Sequence, residues 1–157
     1  VRTLQTAKYM LEKQNLKVNI DERFDEKRVG IPNEKEVPDW RVRQYEDENY
    51  KTVGGESQLE VRNRMYEAFE EVIQKNKGKR IAIFSHDYAI TFLLLKWCKI
   101  EKVTAKYNFA LSFKGKIIFN KRINSPEVFK VTLNEENEVE NIENIEFDDL
   151  EFDDFNK

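Results

Sequence analysis

The chain contains a single histidine, His86, in the stretch Ile83-Phe84-Ser85-His86-Asp87. An imidazole changes protonation near neutral pH, so this position comes first among candidates for chemistry. Ser85 and Asp87 flank it, but side chains of adjacent residues do not converge as a Ser-His-Asp triad requires. A catalytic zinc site takes three protein ligands, usually nitrogen or sulfur. There is no second histidine, and Cys98 lies well down an apolar stretch, so no metal-ligand spacing is present. Asp87 and the acidic loop offer oxygen atoms but no known cage. Position alone fits a packed, structural histidine as well as a functional one.

The elements around His86 sharpen this. Arg80-Ile-Ala-Ile-Phe84 reads as a buried strand, and the chain from Asp87 to Ile100 is apolar nearly all round, which predicts a helix packed on more than one side. His86 would then stand between a strand end and a helix N-terminus, where backbone N–H groups and the helix dipole favour an anion. Upstream, Leu4, Ala7 and Leu11 recur at helical spacing, and Leu16-Lys-Val-Asn-Ile20 alternates as a short strand. Residues 21–38 form a charged loop punctuated by Gly30, Pro32 and Pro38, and 39–50 read as a short helix capped by Asp39. Ser57 and Glu60 have capping-box spacing, and apolar residues mark one helix face to about Lys75. Beyond Ile100, hairpin-like segments flank Lys114-Gly115, Val128–Leu133 alternates, and Val139, Ile142 and Ile145 extend the pattern weakly. Alternation of strand and helix through the first hundred residues predicts an α/β fold with a mostly parallel sheet and antiparallel edge strands near the C-terminus.

Composition narrows the partners. No stretch approaches the ~20 apolar residues of a membrane span, and no signal-peptide pattern opens the chain. One cysteine fits a reducing, cytoplasmic setting. The net charge is −3, but residues 134–157 hold eleven Asp and Glu against one Lys, which leaves 26 basic and 19 acidic residues before them, a net +7. Such a body favours small anionic ligands such as phosphate esters. Without a Lys/Arg run interleaved with aromatics, nucleic acid gains no support. Residues 146–157 read as an acidic, mobile tail behind a domain spanning 1–145.

Four short motifs follow one another in order: Arg2-Thr-Leu-Gln-Thr-Ala7, Arg23-Phe-Asp-Glu-Lys-Arg-Val-Gly30, Gly55-Glu-Ser57 opening the capped helix, and Ile83-Phe-Ser-His86 closing a strand. This series resembles the histidine phosphatase superfamily, specifically its phosphoglycerate mutase-like branch, from residue 2 to about 133. The resemblance implies a three-layer sandwich and a phosphotransfer pocket that needs neither metal nor cofactor. Arg2 resembles a phosphate-clamping arginine, whose planar guanidinium donates paired charge-assisted bonds. Glu26 matches the acid that protonates the leaving alcohol, a task that needs a raised pKa, and Glu56, just before the helix cap, is its competitor for that role. His86 corresponds to the family's second histidine, which donates to phosphoryl oxygens and stabilises transition-state charge. Asp87 stands where the family most often has glycine; its N–H still suits phosphate, and its carboxylate is expected to turn away as a first-turn acidic residue. Residues 32–52 are expected to cover the pocket, with Trp40, Arg41 and Arg43 as substrate-cap candidates.

The family's nucleophile is a histidine in an Arg-His-Gly motif on the first strand, and this chain has no second histidine to supply it. Cys98, in an apolar helix, is expected to hold its proton and not to substitute. The chain opens on Val1-Arg2-Thr3 with the first helix already under way, which suggests that the Arg-His-Gly strand is missing. Two readings of different class follow. In one, this is the C-terminal part of a phosphomonoester phosphatase working through phosphohistidine, and the chain alone is inactive. In the other, it is a non-catalytic phosphate-binding or protein-interaction module. Phosphoglycerate mutase is a further alternative, disfavoured because Lys27, Arg28 and Val29 match poorly the residues with which mutases extend the acid loop. The oligomeric state is left open.

Overall fold

A computed structural model describes residues 2–104 and 108–146. Four α-helices precede two small antiparallel sheets: α1 (Arg2–Gln14), α2 (Trp40–Glu46), α3 (Gln58–Lys75), α4 (Asp87–Leu94), then β1 (Cys98–Val103), β2 (Phe109–Phe113), β3 (Lys116–Lys121), β4 (Val128–Leu133) and β5 (Val139–Ile145). The acidic tail expected over 146–157 lies, from 147 onward, outside the described residues.

The capped helix forms as its sequence dictates. Ser57 Oγ accepts the Glu60 N–H at 3.2 Å and Glu60 Oε2 accepts the Ser57 N–H at 2.9 Å, so two otherwise orphan donors are satisfied reciprocally. Val61, Met65, Ala68 and Ile73 then fall on the buried face of α3. α3 packs on α4, and Phe92 and Leu94 of α4 join Leu111, Phe119 and Ile142 of the sheets in one core. Strand β2 is buried along its whole length because β1 and β3 pair with it on either side. The β2–β3 connection is a two-residue turn, Lys114 (φ 49°) and Gly115 (φ 80°), the backbone twist that joins antiparallel strands without splaying them. β4 and β5 form the second sheet, with Val139, Ile142 and Ile145 inside the ladder.

Three expectations change. The mostly parallel sheet is not observed: among the described residues every strand pairing is antiparallel. Residues 16–20 and 80–84 join no ladder, although their sequences have strand character. An apolar or alternating pattern marks a segment suited to a sheet, but a ladder also needs a hydrogen-bonded neighbour. Without one, Leu16, Val18, Ile20 and Ile81 remain 41–74% exposed. Second, α4 ends at Leu94 and not near Ile100. Lys96 and Trp97 close tight turns onto Leu93 and Leu94, and Cys98 then pairs with Phe113. Third, Asp39 sits at the α2 N-terminus but makes no side-chain capping bond.

Candidate functional site

The loop after residue 20 is tied to α3 before it reaches Glu26. Asp21 caps a short 3₁₀ turn, Glu22–Phe24, by accepting the Arg23 N–H. The Arg23 guanidinium then forks onto Asp21 and onto both oxygens of Glu71, at 2.9 and 3.0 Å. Arg64, reaching back from α3, donates to the carbonyls of Arg23 (2.8 Å), Asp25 (3.0 Å) and Glu26 (3.3 Å), and to the Glu56 carboxylate. Glu56 in turn accepts the Arg28 N–H at 2.8 Å. Burial pulls the Glu56 carboxyl upward, but Arg64 and the Arg28 N–H outweigh it and hold the group below the usual carboxylate range. On the far side, Ser85 Oγ donates to the Phe24 carbonyl at 2.6 Å, joining the residue before His86 to the same loop.

Two glycines close the base of this loop. Gly30 has φ +71°, and a Cβ there would lie 2.5 Å from the Gly55 nitrogen and the Val53 oxygen. A Cβ on Gly55 would meet the Val29 carbonyl at 2.6 Å. The backbones touch, and Thr52 Oγ1 donates to Val29 O across the same contact. A single bridge, Ile31 with Val53, continues it.

Held this way, Glu26 meets the start of α4. His86 is the N-cap residue, and its carbonyl accepts the Ile90 N–H at 2.8 Å. Glu26 Oε2 lies 4.0 Å from His86 Nδ1, with the two side chains 32% and 20% exposed. Glu26 accepts the Lys27 N–H at 2.8 Å, and the Ala89 N–H in the first turn of α4 and the Asp87 carboxylate stand near it. Burial, then the Asp87 charge, outweigh the two N–H groups and push the Glu26 carboxyl up to about 7. A group titrating there is poised to give or take a proton at neutral pH.

The other sequence candidates are dispersed. Asp87 is exposed and accepts the Tyr88 N–H at 2.7 Å, and its charge is near enough to raise the Glu26 pKa because the α4 N-terminus and the loop end meet. Arg2 is exposed, and among the described residues its side chain makes no hydrogen bond or ion pair with Glu26, His86 or Asp87. Trp40 is only 2% exposed and is therefore a core residue, with its indole N–H 3.4 Å from Glu34. Arg43 covers the Tyr50 ring and lies 3.8 Å from Asp47, on a wide cleft of about 630 Å³ that includes none of the Glu26–His86 group. Arg41 stacks on Trp40 at 4.2 Å and, with Asp87, lines a smaller cavity. Burial pushes the Cys98 thiol up to about 11, so it holds its proton. Among the described residues no three His, Cys, Asp or Glu side chains group closely enough to hold a metal ion.

Sequence reasoning missed Arg64 and the closeness of the Asp87 charge to Glu26. The first left one signal, an arginine within a helix whose capped start places it beside Glu56; the second left none.

With this geometry, the match to known families has a physical counterpart. The family described as histidine phosphatase superfamily (branch 1) matches residues 1–112, and the chain belongs to that superfamily. No curated protein and no solved structure gives a significant match. Among the described residues no helix is long and apolar enough to cross a membrane.

Proposed function

We propose that this chain carries the acid–base and charge-stabilising half of a phosphomonoester phosphatase site, with Glu26 as proton donor and acceptor and His86 as donor to the phosphoryl oxygens. The observation that supports this most is the Glu26 carboxyl, buried beside His86 at the α4 N-terminus and titrating at about 7. In the proposed reaction a histidine nitrogen attacks phosphorus while the ester P–O bond breaks. The proton on Glu26 passes to the departing alkoxide. Glu26, now ionised, takes a proton from water, whose oxygen attacks the phosphohistidine and releases phosphate. Transition-state charge on the phosphoryl oxygens meets His86 and the backbone N–H groups of α4. The substrate is a small phosphorylated molecule, and neither metal nor cofactor is invoked.

His86 is the sole histidine of the 157 residues, so the attacking histidine in this scheme must come from outside them. The same fact favours a second reading, a non-catalytic module that binds phosphate and turns nothing over. Phosphatase is preferred to mutase because Lys27, Arg28 and Val29 match poorly the residues with which mutases extend the acid loop.

The test is p-nitrophenyl phosphate hydrolysis by the product of the complete reading frame that encodes this chain. Glu26→Gln is expected to lower kcat by roughly 100-fold or more, and His86→Ala by a similar or larger factor. Phosphate binding without turnover in that product would establish the binding-module reading. Turnover by the 157 residues alone, abolished in His86→Ala, would sink the argument for an outside nucleophile.

A further inference from the structure

Residues 16–20, Leu-Lys-Val-Asn-Ile, leave α1 without entering a helix, a turn or a ladder. The Leu16 N–H donates to Leu11 O at 2.9 Å, and otherwise the segment makes no backbone hydrogen bond among the described residues. In a paired strand Leu16, Val18 and Ile20 would share one face, and Lys17 and Asn19 the other. All five residues are exposed, and the three apolar side chains are 50%, 46% and 74% open to solvent. Water satisfies the free N–H and C=O groups, so pairing gains chiefly from covering those three side chains. An alternating segment with open edges and an apolar face is a template for a second strand.

We propose that this segment pairs with the same segment of a second copy of the chain, antiparallel and centred on Val18, to form a two-fold dimer. The sequence is self-complementary in that register. Val18 meets Val18 across the axis, Leu16 stands opposite Ile20, and Lys17 stands opposite Asn19. Six apolar side chains then cover one face, and no like charges stand directly opposite. Other arrangements fit worse. Parallel pairing in register sets Lys17 against Lys17, and an antiparallel shift of two residues sets Ile20 against Gln14 of α1 or Leu16 against Glu22 of the 3₁₀ turn. Residues 80–84 also join no ladder, but Ile83 and Phe84 are partly buried, and the same two-fold pairing would set Arg80 opposite Phe84. A contact five residues long falls below the ~1,200 Å² of a standard interface, so the dimer is weak, with a Kd on the order of 100 µM.

Sedimentation equilibrium of the 157-residue chain, from about 5 to about 500 µM, should fit a monomer–dimer equilibrium. Val18→Lys and Val18→Glu each place two like charges at the axis, and each alone should raise the Kd roughly tenfold or more. Mixed one to one, the two variants should recover most of the association, because residue 18 meets residue 18. Position 18 is exposed, so both variants are expected to fold, which far-UV circular dichroism checks. A dimer indifferent to both substitutions, or a mixture that does not recover, overturns the inference. A chain that stays monomeric throughout overturns it as well, and hydrogen exchange then reports what lies over the segment. Protected amides at 17–20 would mean that another part of the polypeptide covers them, and freely exchanging amides that nothing does.

Discussion

Glu26 and His86, sixty residues apart in sequence, meet at the start of α4, with His86 Nδ1 4.0 Å from Glu26 Oε2. Burial, with the charge of nearby Asp87, pushes the Glu26 carboxyl up to about 7.

Removing the Asp87 charge removes a contribution that raises the Glu26 pKa. In Asp87→Asn, the Glu26 titration should therefore move to lower pH. Carbon-13 NMR of the glutamate carboxyls in the 157-residue chain checks this directly. A Glu26 midpoint unchanged from wild type would show that burial alone sets it.

The same shift makes Glu26 a destabilising group in alkali. Its folded pKa of about 7 exceeds the ordinary 4.5, so the folded state binds more protons between those values and stability falls as pH rises through them. Glu26→Gln, which cannot ionise, should raise the melting temperature more at pH 8 than at pH 4.5. Equal effects at both pH values would contradict the raised pKa.

Arg64 supports three loop carbonyls and the Glu56 carboxylate at once. Arg64→Ala strands a carboxylate only 8% exposed, so a loss of about 3–5 kcal/mol is expected in urea unfolding. Arg64→Ala with Glu56→Gln should recover part of that loss, because the uncompensated charge is gone.

Gly30 and Gly54 both have φ +71°, but only Gly30 has backbone where a Cβ would stand. Gly54→Ala should cost about 1 kcal/mol for the left-handed conformation alone. Gly30→Ala adds a steric clash with the Gly55 and Val53 backbone, so its thermal destabilisation should be plainly larger. Equal melting temperatures for the two variants would mean that the loop base is looser than described.

In acid, Arg23 and Glu71 supply the opposite behaviour to Glu26. The Arg23 hydrogen bonds hold the Glu71 carboxyl down to about 2, so the stabilisation is complete above the ordinary 4.5 and is lost as pH falls toward 2. Glu71→Gln should lower the melting temperature at pH 7 and have little effect at pH 2. A constant difference across that range would argue against the pair.

Much of this was legible where the determinants are local. The capping box at Ser57 and Glu60 and the turn at Lys114-Gly115 are fixed by residues within four positions of each other, and both form. The end of α4 was misread because apolar composition hid a change of period. Cys98 and Ile100 alternate with Lys99 and Glu101 in a strand, a bulge at Glu101–Lys102 resets the pattern before Val103, and the preceding residues keep helical spacing. Trp40 was read as covering a pocket, yet it is core; an aromatic on a short helix has the same local signature in either place. The hold of Arg64 on the acid loop spans 38 to 41 residues, and a contact between a side chain and distant carbonyls leaves no periodicity to detect. The proximity of Glu26 and His86 followed from the order of family motifs, whereas the closeness of the Asp87 charge came only with the fold.

The contact of Gly30 with Gly55 and the bridge of Ile31 with Val53 have a consequence for how this protein can change. They tie the two ends of residues 31–53 into a stem, so that everything between them is an excursion from a fixed root. Lengthening the excursion between Glu34 and Pro38 costs loop entropy that grows only slowly with length, and the root absorbs none of it. Glu26 stands on the other side of that root, fastened to α3. The 31–53 excursion and the Glu26 loop are therefore separable units, and the first can be remodelled while the second keeps its place.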